Sequence, residues 1–328
     1  MRWGFSHVLR SGHRRIASGL MHRFFRREAG SDAAVLVPRE TGVGTAKLVG
    51  VPLDLVATAA GNTLTRCALS ESILTSDSSG QVRRFFELVG QSTFSSNVSA
   101  DKIEVYDQVG RIVHTRDFHV RLAAGNAASG LAEFERQAEE WFIRREAFED
   151  LWLAGRTFVY GAVNAGGMGT EGSFGPFCLV IGITGANADS ATGPDDGVVF
   201  PGNTAERYVT PAGAAEEDKA VAEATEWSAR MDLAVIERNA EIAIVSESEW
   251  PELVCRPDRY FEVVRTGLLP TSAISEVRIN RDFLQRLRIL RAQYVAGEDL
   301  TTPEQHEVAA YNSIRQWTRS GTQIVEMA

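Results

Sequence analysis

Two stretches of this 328-residue chain have residue types and spacing suited to chemistry. The first is the run NAGGMGTEGSFG from Asn164 to Gly175, preceded by Gly161; its glycines are Gly166, Gly167, Gly169, Gly172 and Gly175. Glycine admits positive φ and lets backbone amides approach a ligand closely. Successive amides in such a loop bind phosphate or pyrophosphate. The run is not a dinucleotide fingerprint, because the strand–GxGxxG–helix context is missing. No Gly-Lys-Ser/Thr follows it, as a Walker A loop would require. Its plain alternative is a mobile hairpin loop or a strand crossing. The second stretch is ERNAEIAIVSESEW, where Glu241–Val245 predicts a buried strand. A carboxylate at the mouth of that strand has to be solvated, paired or functional. A strand-edge glutamate facing water is the bland counterpart.

Other groups carry less. His114 and His119, with Arg116, Asp117 and Arg121, read as a polar sheet-face cluster, and nothing nearby completes a metal ligand set. Cys178 lies in the apolar run PFCLVIGI and reads as a buried core thiol. The three cysteines form no CxxC pair, which fits a reducing, intracellular compartment. Neither a Gly-x-Ser-x-Gly elbow nor a His-Glu-x-x-His helix occurs.

The elements that would position these groups follow from periodicity. Residues 46–128 show partial alternation with many β-branched residues, which predicts a β-rich N-terminal domain. Within it, Asp107–Gly110 predicts a hairpin turn between IEVY and RIVHT, and Gln81–Gly90 a short helix. Residues 129–280 predict an α/β domain carrying the chemistry. It opens with a helix over Leu131–Gly155, whose apolar residues recur at three- and four-residue spacing with Arg144 and Arg145 on the polar side. The strand RTFVYGAV, the glycine run, PFCLVIGI, a loop over 184–203, a helix over Ala214–Arg238, the segment RYFEVV and the strand ISEVRI follow. Residues 281–328 predict C-terminal helices, one at Asp282–Tyr294 and one capped by Thr302 with Pro303 at its first position. The fold class is α+β.

Hydrophobic residues make up 44% and charged residues 23%, which is enough for a substantial core and argues against wholesale disorder. The net charge of −9 is uneven: residues 1–27 carry seven arginines and no acid, so the remainder stands at −16. That acidic body argues against non-specific nucleic-acid binding over a broad surface but not against a small local site. The arm and linker, residues 1–45, read as a basic amphipathic segment for a membrane surface or partner, as an organellar targeting segment, or as a leader outside the fold. No apolar run of about 20 residues predicts a membrane span.

The segment from Glu237 to Ile279 resembles the C-terminal motif of the DNA-targeting ADP-ribosyltransferase toxins of bacterial toxin–antitoxin systems. Arg238-Asn239-Ala240-Glu241 is similar to their Arg-Gln-Ala-Glu run opening a strand, LLPTSAISEVRI to the later proline and Ile-x-x-Ile/Val strand, and Gly175–Val180 to an earlier Pro-Phe segment. The family's His-x-Thr-His start has no counterpart here. The resemblance implies a split mixed sheet and an intracellular enzyme that takes NAD as substrate and modifies a macromolecular acceptor, protein or nucleic acid. It implies Glu241 as the catalytic carboxylate, Asn164, Gly166, Gly167 and Gly169 around the diphosphate or ribose, and Arg156 or Arg207 neutralising phosphate. The alternative is a non-enzymatic, self-assembling protein whose arm contacts a membrane or partner.

Overall fold

In Phe177–Ile181 every residue is apolar and buried, and this run forms an inner strand of an eight-stranded mixed sheet. The computed structural model describes residues 52–114, 132–170, 174–181 and 197–328. The basic arm and linker, His119, Gly172 and most of the 184–203 loop lie outside the described residues, as do the side chains of 132–139. The strands are β1 (Thr93–Val98), β2 (Val159–Asn164), β3 (Phe177–Ile181), β4 (Gly197–Phe200), β5 (Thr225–Glu226), β6 (Glu262–Arg265), β7 (Ile274–Asn280) and β8 (Gln323–Met327). They lie in the order β5-β4-β6-β2-β1-β3-β7-β8, antiparallel throughout except for the parallel β7–β8 pair. The α+β class is therefore as expected.

Ten helices accompany the sheet among the described residues: α1 (Leu55–Ser76), α2 (Gln81–Gly90), α3 (Ala100–Val109), α4 (Ala132–Glu149), α5 (Thr204–Arg207), α6 (Glu217–Glu223), α7 (Arg230–Ile242), α8 (Glu252–Cys255), α9 (Arg281–Val295) and α10 (Thr302–Trp317). Alternation along the strands sorts side chains onto two faces. Phe94, Val163, Leu179, Val263 and Val277 join one core cluster with α2, α3, α7, α9 and α10. Val198, Phe200 and Val264 point the other way, into a smaller cluster with Leu55, Phe148, Trp152 and Tyr208.

Over its described residues, 52–114, the expected β-rich N-terminal domain is mainly helical instead, and the rest of it lies outside the described residues. Its residues bury at helical rather than alternating spacing. Leu55, Ala59, Ser70 and Leu74 form the inner side of α1, and Asp54 caps that helix by accepting the Ala57 N–H at 3.0 Å. IEVY belongs to α3, which Gly110 ends in the left-handed conformation at φ 69°, so Asp107–Gly110 is a helix end and not a hairpin. β1 is the one named strand among the described residues of that stretch, and it lies inside the sheet, which therefore spans the expected boundary at residue 128. The helix at Gln81–Gly90 is as expected.

Further along, α4 stops at Glu149, six residues before the expected Gly155. A Cβ on Gly155 would lie 1.8 Å from the Glu149 carbonyl, because the chain folds back tightly there. The expected helix over Ala214–Arg238 is two helices, α6 and α7, split by β5 and a 3-10 turn at Trp227–Ala229. RYFEVV and ISEVRI become β6 and β7, and Asp282–Tyr294 lies in α9. The last helix is capped one residue earlier than expected: the Thr301 hydroxyl donates to Glu304 at 2.7 Å in a capping box.

One buried ion pair ties α4 to the sheet. Arg145, expected on the polar side of its helix, is 1% exposed and forms a two-pronged pair with Glu262 on β6, both contacts at 3.0 Å. Glu262 also accepts from the Thr204 amide (2.7 Å), the Thr204 hydroxyl (2.6 Å) and the Tyr260 hydroxyl (3.2 Å). The guanidinium lies 3.9 Å from the centre of the Tyr160 ring. Burial works against the Arg145 charge, but Glu262 outweighs it and holds the guanidinium above its ordinary value.

Two stability measurements follow. Arg145→Met leaves the Glu262 charge buried and is expected to cost about 3–5 kcal/mol in urea unfolding. The double variant Arg145→Met/Glu262→Leu is expected to recover most of that loss, and additive losses would contradict the pairing. Hydrogen bonds from Thr301 hold the Glu304 carboxylate below its ordinary value. A depressed carboxylate stabilises the fold above its unfolded-state value and loses that contribution as pH falls through the lower folded one. The Tm gap between wild type and Glu304→Gln should therefore be constant above pH 4.5 and shrink below it.

Candidate polar site on the sheet face

The order of β2, β1 and β3 decides what the glycine run does. Both β2 and β3 are antiparallel to β1, which lies between them, so they are parallel to each other. Residues 165–176 must therefore carry the chain from the far end of β2 back to the near end of β3. Parallel strands need a crossover of about a dozen residues, usually a helix. Here the described part of the crossover, residues 165–170 and 174–176, lies against the sheet. Asn164 begins it: its carboxamide oxygen accepts the Gly167 N–H at 2.9 Å, and its Nδ2 donates to the Gly167 carbonyl at 2.9 Å and the Ser95 hydroxyl at 3.0 Å. Gly169, at φ 68°, passes so close that a Cβ would lie 2.6 Å from Asn97 Oδ1 and 2.9 Å from Ser95 Oγ. Gly175, at φ 141°, would place a Cβ 2.1 Å from the Val98 carbonyl. Asn97 Nδ2 reaches the Gly175 carbonyl at 3.3 Å.

Beneath the crossover the sheet face is polar. Register lines up Glu262, Ala162, Ser95, Val180 and Glu276 across five adjacent strands, and Asn97, Cys178 and Arg278 across three. Strands are spaced about 4.8 Å apart, so these rows are continuous surfaces of side chains. Ser95, Asn97, Asn164, Cys178 and Arg278 are all buried. Arg278 is fixed at two of its three nitrogens: Nε donates to Glu276 at 2.9 Å and Nη1 to the Gly167 carbonyl at 2.9 Å. Its Nη2 makes no hydrogen bond among the described residues and is not sealed from solvent. Glu276 is the more open partner, with 31% of its side chain exposed. Burial pushes the Cys178 thiol up to about 11, although Ser95, Arg278 and Asn164 oppose the shift, so Cys178 is no nucleophile at neutral pH. Burial likewise pushes Cys255, which donates to the Val163 carbonyl at 3.0 Å, up to about 12.

The residues expected to act together are not joined. Glu241 does not open a strand. It lies in the last turn of α7, the chain turns away at Ala243, and Ile244 is 83% exposed. The apolar face of α7, with Leu233, Ala234, Val235 and Ile242 buried, runs through the segment taken for a strand. The Glu241 carboxylate pairs with Arg259 and, at 3.6 Å, with Arg238. Arg238 itself donates to the Leu253 and Arg259 carbonyls at 2.9 and 2.6 Å. No hydrogen bond or ion pair links Glu241 to the crossover among the described residues. Arg207 pairs with Glu223 at 2.5 Å and lies 3.8 Å from Glu237. Arg156 is an exposed residue of a 3-10 turn. Only Asn164, Gly166, Gly167 and Gly169 belong to the polar face.

Sequence reasoning missed Ser95, Asn97, Glu276, Arg278, Arg145 and Glu262. The signal for Glu276 and Arg278 was present as two charges at alternate positions of the strand ISEVRI. Ser95 and Asn97 give a similar signal in TFSSNV. His114 is buried, with Nδ1 3.3 Å from the Phe158 carbonyl, and no group of three or more metal-binding side chains occurs among the described residues. No described helix is long and apolar enough to cross a membrane.

No family model matches the chain, and neither a curated protein nor a solved structure shows significant similarity to it.

The crossover geometry separates the glycines experimentally. Gly169→Ala meets both a positive φ and the Asn97 carboxamide, and is expected to cost about 1–3 kcal/mol in denaturant unfolding. Gly167→Ala has neither obstacle, its nearest contact being 3.9 Å, and is expected to stay within about 0.5 kcal/mol of wild type. Equal effects would mean that the loop does not lie on the face as described.

Proposed function

We propose that this protein binds a small phosphate-bearing ligand at the Arg278 end of the polar face, and that this ligand is NAD, consumed in ADP-ribosyl transfer to a macromolecular acceptor. The observation that carries the reading is Arg278: a buried guanidinium, held at Nε and Nη1, that leaves Nη2 for an anion. Guanidinium groups fixed in this way recognise phosphate and carboxylate oxygens with defined geometry. The Gly166–Gly167 backbone lies beside it, with open space over Gly166. The resemblance supplies the identity of the ligand.

In this reading the carboxylate of the reaction is Glu276. It shares the strand with Arg278 and is partly open, whereas Glu241 is committed to Arg238 and Arg259. The bond between the ribose C1′ and nicotinamide breaks, and nicotinamide leaves with the electron pair. Positive charge develops on the ribose, as in glycoside cleavage. A fixed carboxylate stabilises that charge and accepts the acceptor's proton as the new bond to C1′ forms.

A second reading is favoured by the crossover itself. Its glycines are needed for close passage over Asn97 and Ser95 whether or not a ligand binds, as a non-enzymatic assembly protein would also require. Calorimetric NAD titration with a nicotinamide-release assay separates the two. The expected result is binding by wild type, weakened at least tenfold by Arg278→Ala, with release lowered at least a hundredfold by Glu276→Gln and little changed by Glu241→Gln. Loss of release in Glu241→Gln alone would return the role to that residue. Folded wild-type protein that ignores millimolar NAD would remove the enzymatic reading.

A further inference from the structure

Beyond Arg278 the sheet ends in one more strand. β8 runs parallel to β7, with Gln323 beside Glu276, Val325 beside Arg278 and Met327 beside Asn280. Residues in register on adjacent strands share a face, so these side chains continue the polar face outward. The alternate residues of β8 turn the other way. Ile324 packs on the larger core cluster, and Glu326 pairs with Arg281 of α9 at 2.8 Å. α9 therefore lies on the opposite face. Gln323 is exposed, and its carboxamide makes no hydrogen bond among the described residues.

We infer that Gln323 binds the carboxamide of nicotinamide and selects the amide over the free acid, an inference that rests on NAD being the ligand of this face. In that reading Arg278 holds the diphosphate and Glu276 faces the ribose C1′. The two lie two positions apart on β7, about 6.6 Å along the strand. The dinucleotide then runs along the strand from Arg278 to Glu276, and the nicotinamide on C1′ lies at the Glu276 end. Two strands flank Glu276 there. On one side it neighbours Val180, whose side chain offers no hydrogen bond, and on the other Gln323. The other carboxamides of the face, Asn97 and Asn164, are engaged with the crossover. A carboxamide has both an acceptor oxygen and an NH2 donor, so two of them pair reciprocally. The nicotinic acid analogue of NAD carries a carboxylate in that place, which only accepts. It leaves the Gln323 oxygen without a partner and brings a second negative charge beside Glu276. A site built around a hydrogen bond rejects an analogue that lacks it.

Release of nicotinamide from NAD, and of nicotinic acid from the analogue, tests this on wild type and Gln323→Leu, with thermal melts of both proteins. Because the Gln323 side chain is exposed and holds nothing in the fold, the variant is expected to melt with wild type. Wild type is expected to prefer NAD at least tenfold in kcat/KM. Gln323→Leu is expected to raise KM for NAD at least tenfold with kcat within threefold, since the bond is present in bound substrate and transition state alike. It is also expected to cut the preference for NAD at least threefold. Nicotinamide release by wild type that Gln323→Leu matches in KM and in preference would overturn the inference and leave the NAD reading standing. So would a raised KM with the preference unchanged, which would put Gln323 against another part of the dinucleotide. No release by folded wild type would remove both.

Discussion

The position of β1 between β2 and β3 is the constraint from which the site geometry follows. It makes β2 and β3 parallel and forbids a hairpin between them. The chain has to recross the sheet, and the described residues of the crossover, 165–170 and 174–176, form no helix and pass close over the strands at Gly169 and Gly175. A loop crossing so closely carries backbone donors and acceptors that water cannot reach, and these must be paired. The side chains of Asn97, Asn164 and Arg278 meet that requirement, and the Ser95 hydroxyl accepts a further bond from the Asn164 carboxamide. The glycines and the polar strand positions are therefore one feature, the first allowing contact and the second satisfying it.

The same face is held differently at its other end. Over β6 and β2 it is closed by α4 through Arg145 and Glu262, both almost wholly buried. Burying two charges is costly, and the cost is offset only when the remaining donors and acceptors are matched. Here both Glu262 oxygens accept more than one hydrogen bond. The Tyr260 hydroxyl belongs to this network, and its ring meets Phe174 of the crossover edge-on at 6.4 Å. The ion pair and the crossover are thus mechanically linked through one aromatic contact. At the β7 end the burial is less complete: Glu276 stays partly open, and Arg278 Nη2 makes no hydrogen bond among the described residues. The two ends of the face therefore differ in how fully their charges are paired.

Much of the fold was legible in the sequence where local signals agreed. β3 was legible as a continuous apolar run, which its burial on both faces explains, and β7, the helix at Gln81–Gly90 and α9 were legible from periodicity. The N-terminal stretch was misread because its apolar residues include many β-branched types, while the helical spacing of Leu55, Ala59 and Leu74 prevailed in the fold. Tertiary packing overrides such propensities, which are worth a few tenths of a kcal/mol per residue. The polar face was harder to foresee. Ser95, Asn164, Cys178 and Arg278 come from four strands, and only the non-sequential strand order brings them together.

Glu241 illustrates how a local string can mislead about a site. Arg238-Asn239-Ala240-Glu241 matches a motif whose meaning depends on a strand beginning at the glutamate. In this chain the same four residues close a helix. Their side chains fasten it to the Leu253–Arg259 segment, through the two carbonyls that Arg238 reaches and the pairing of Glu241 with Arg259. A carboxylate that stabilises a transition state has to face the reacting atoms while keeping its charge available. Glu241 spends its charge on two arginines of the scaffold. Glu276 pairs with one arginine, and that arginine's Nη2 makes no hydrogen bond among the described residues. If the chain acts on a phosphate-bearing substrate, the chemistry belongs with the charges that the fold has left incompletely paired.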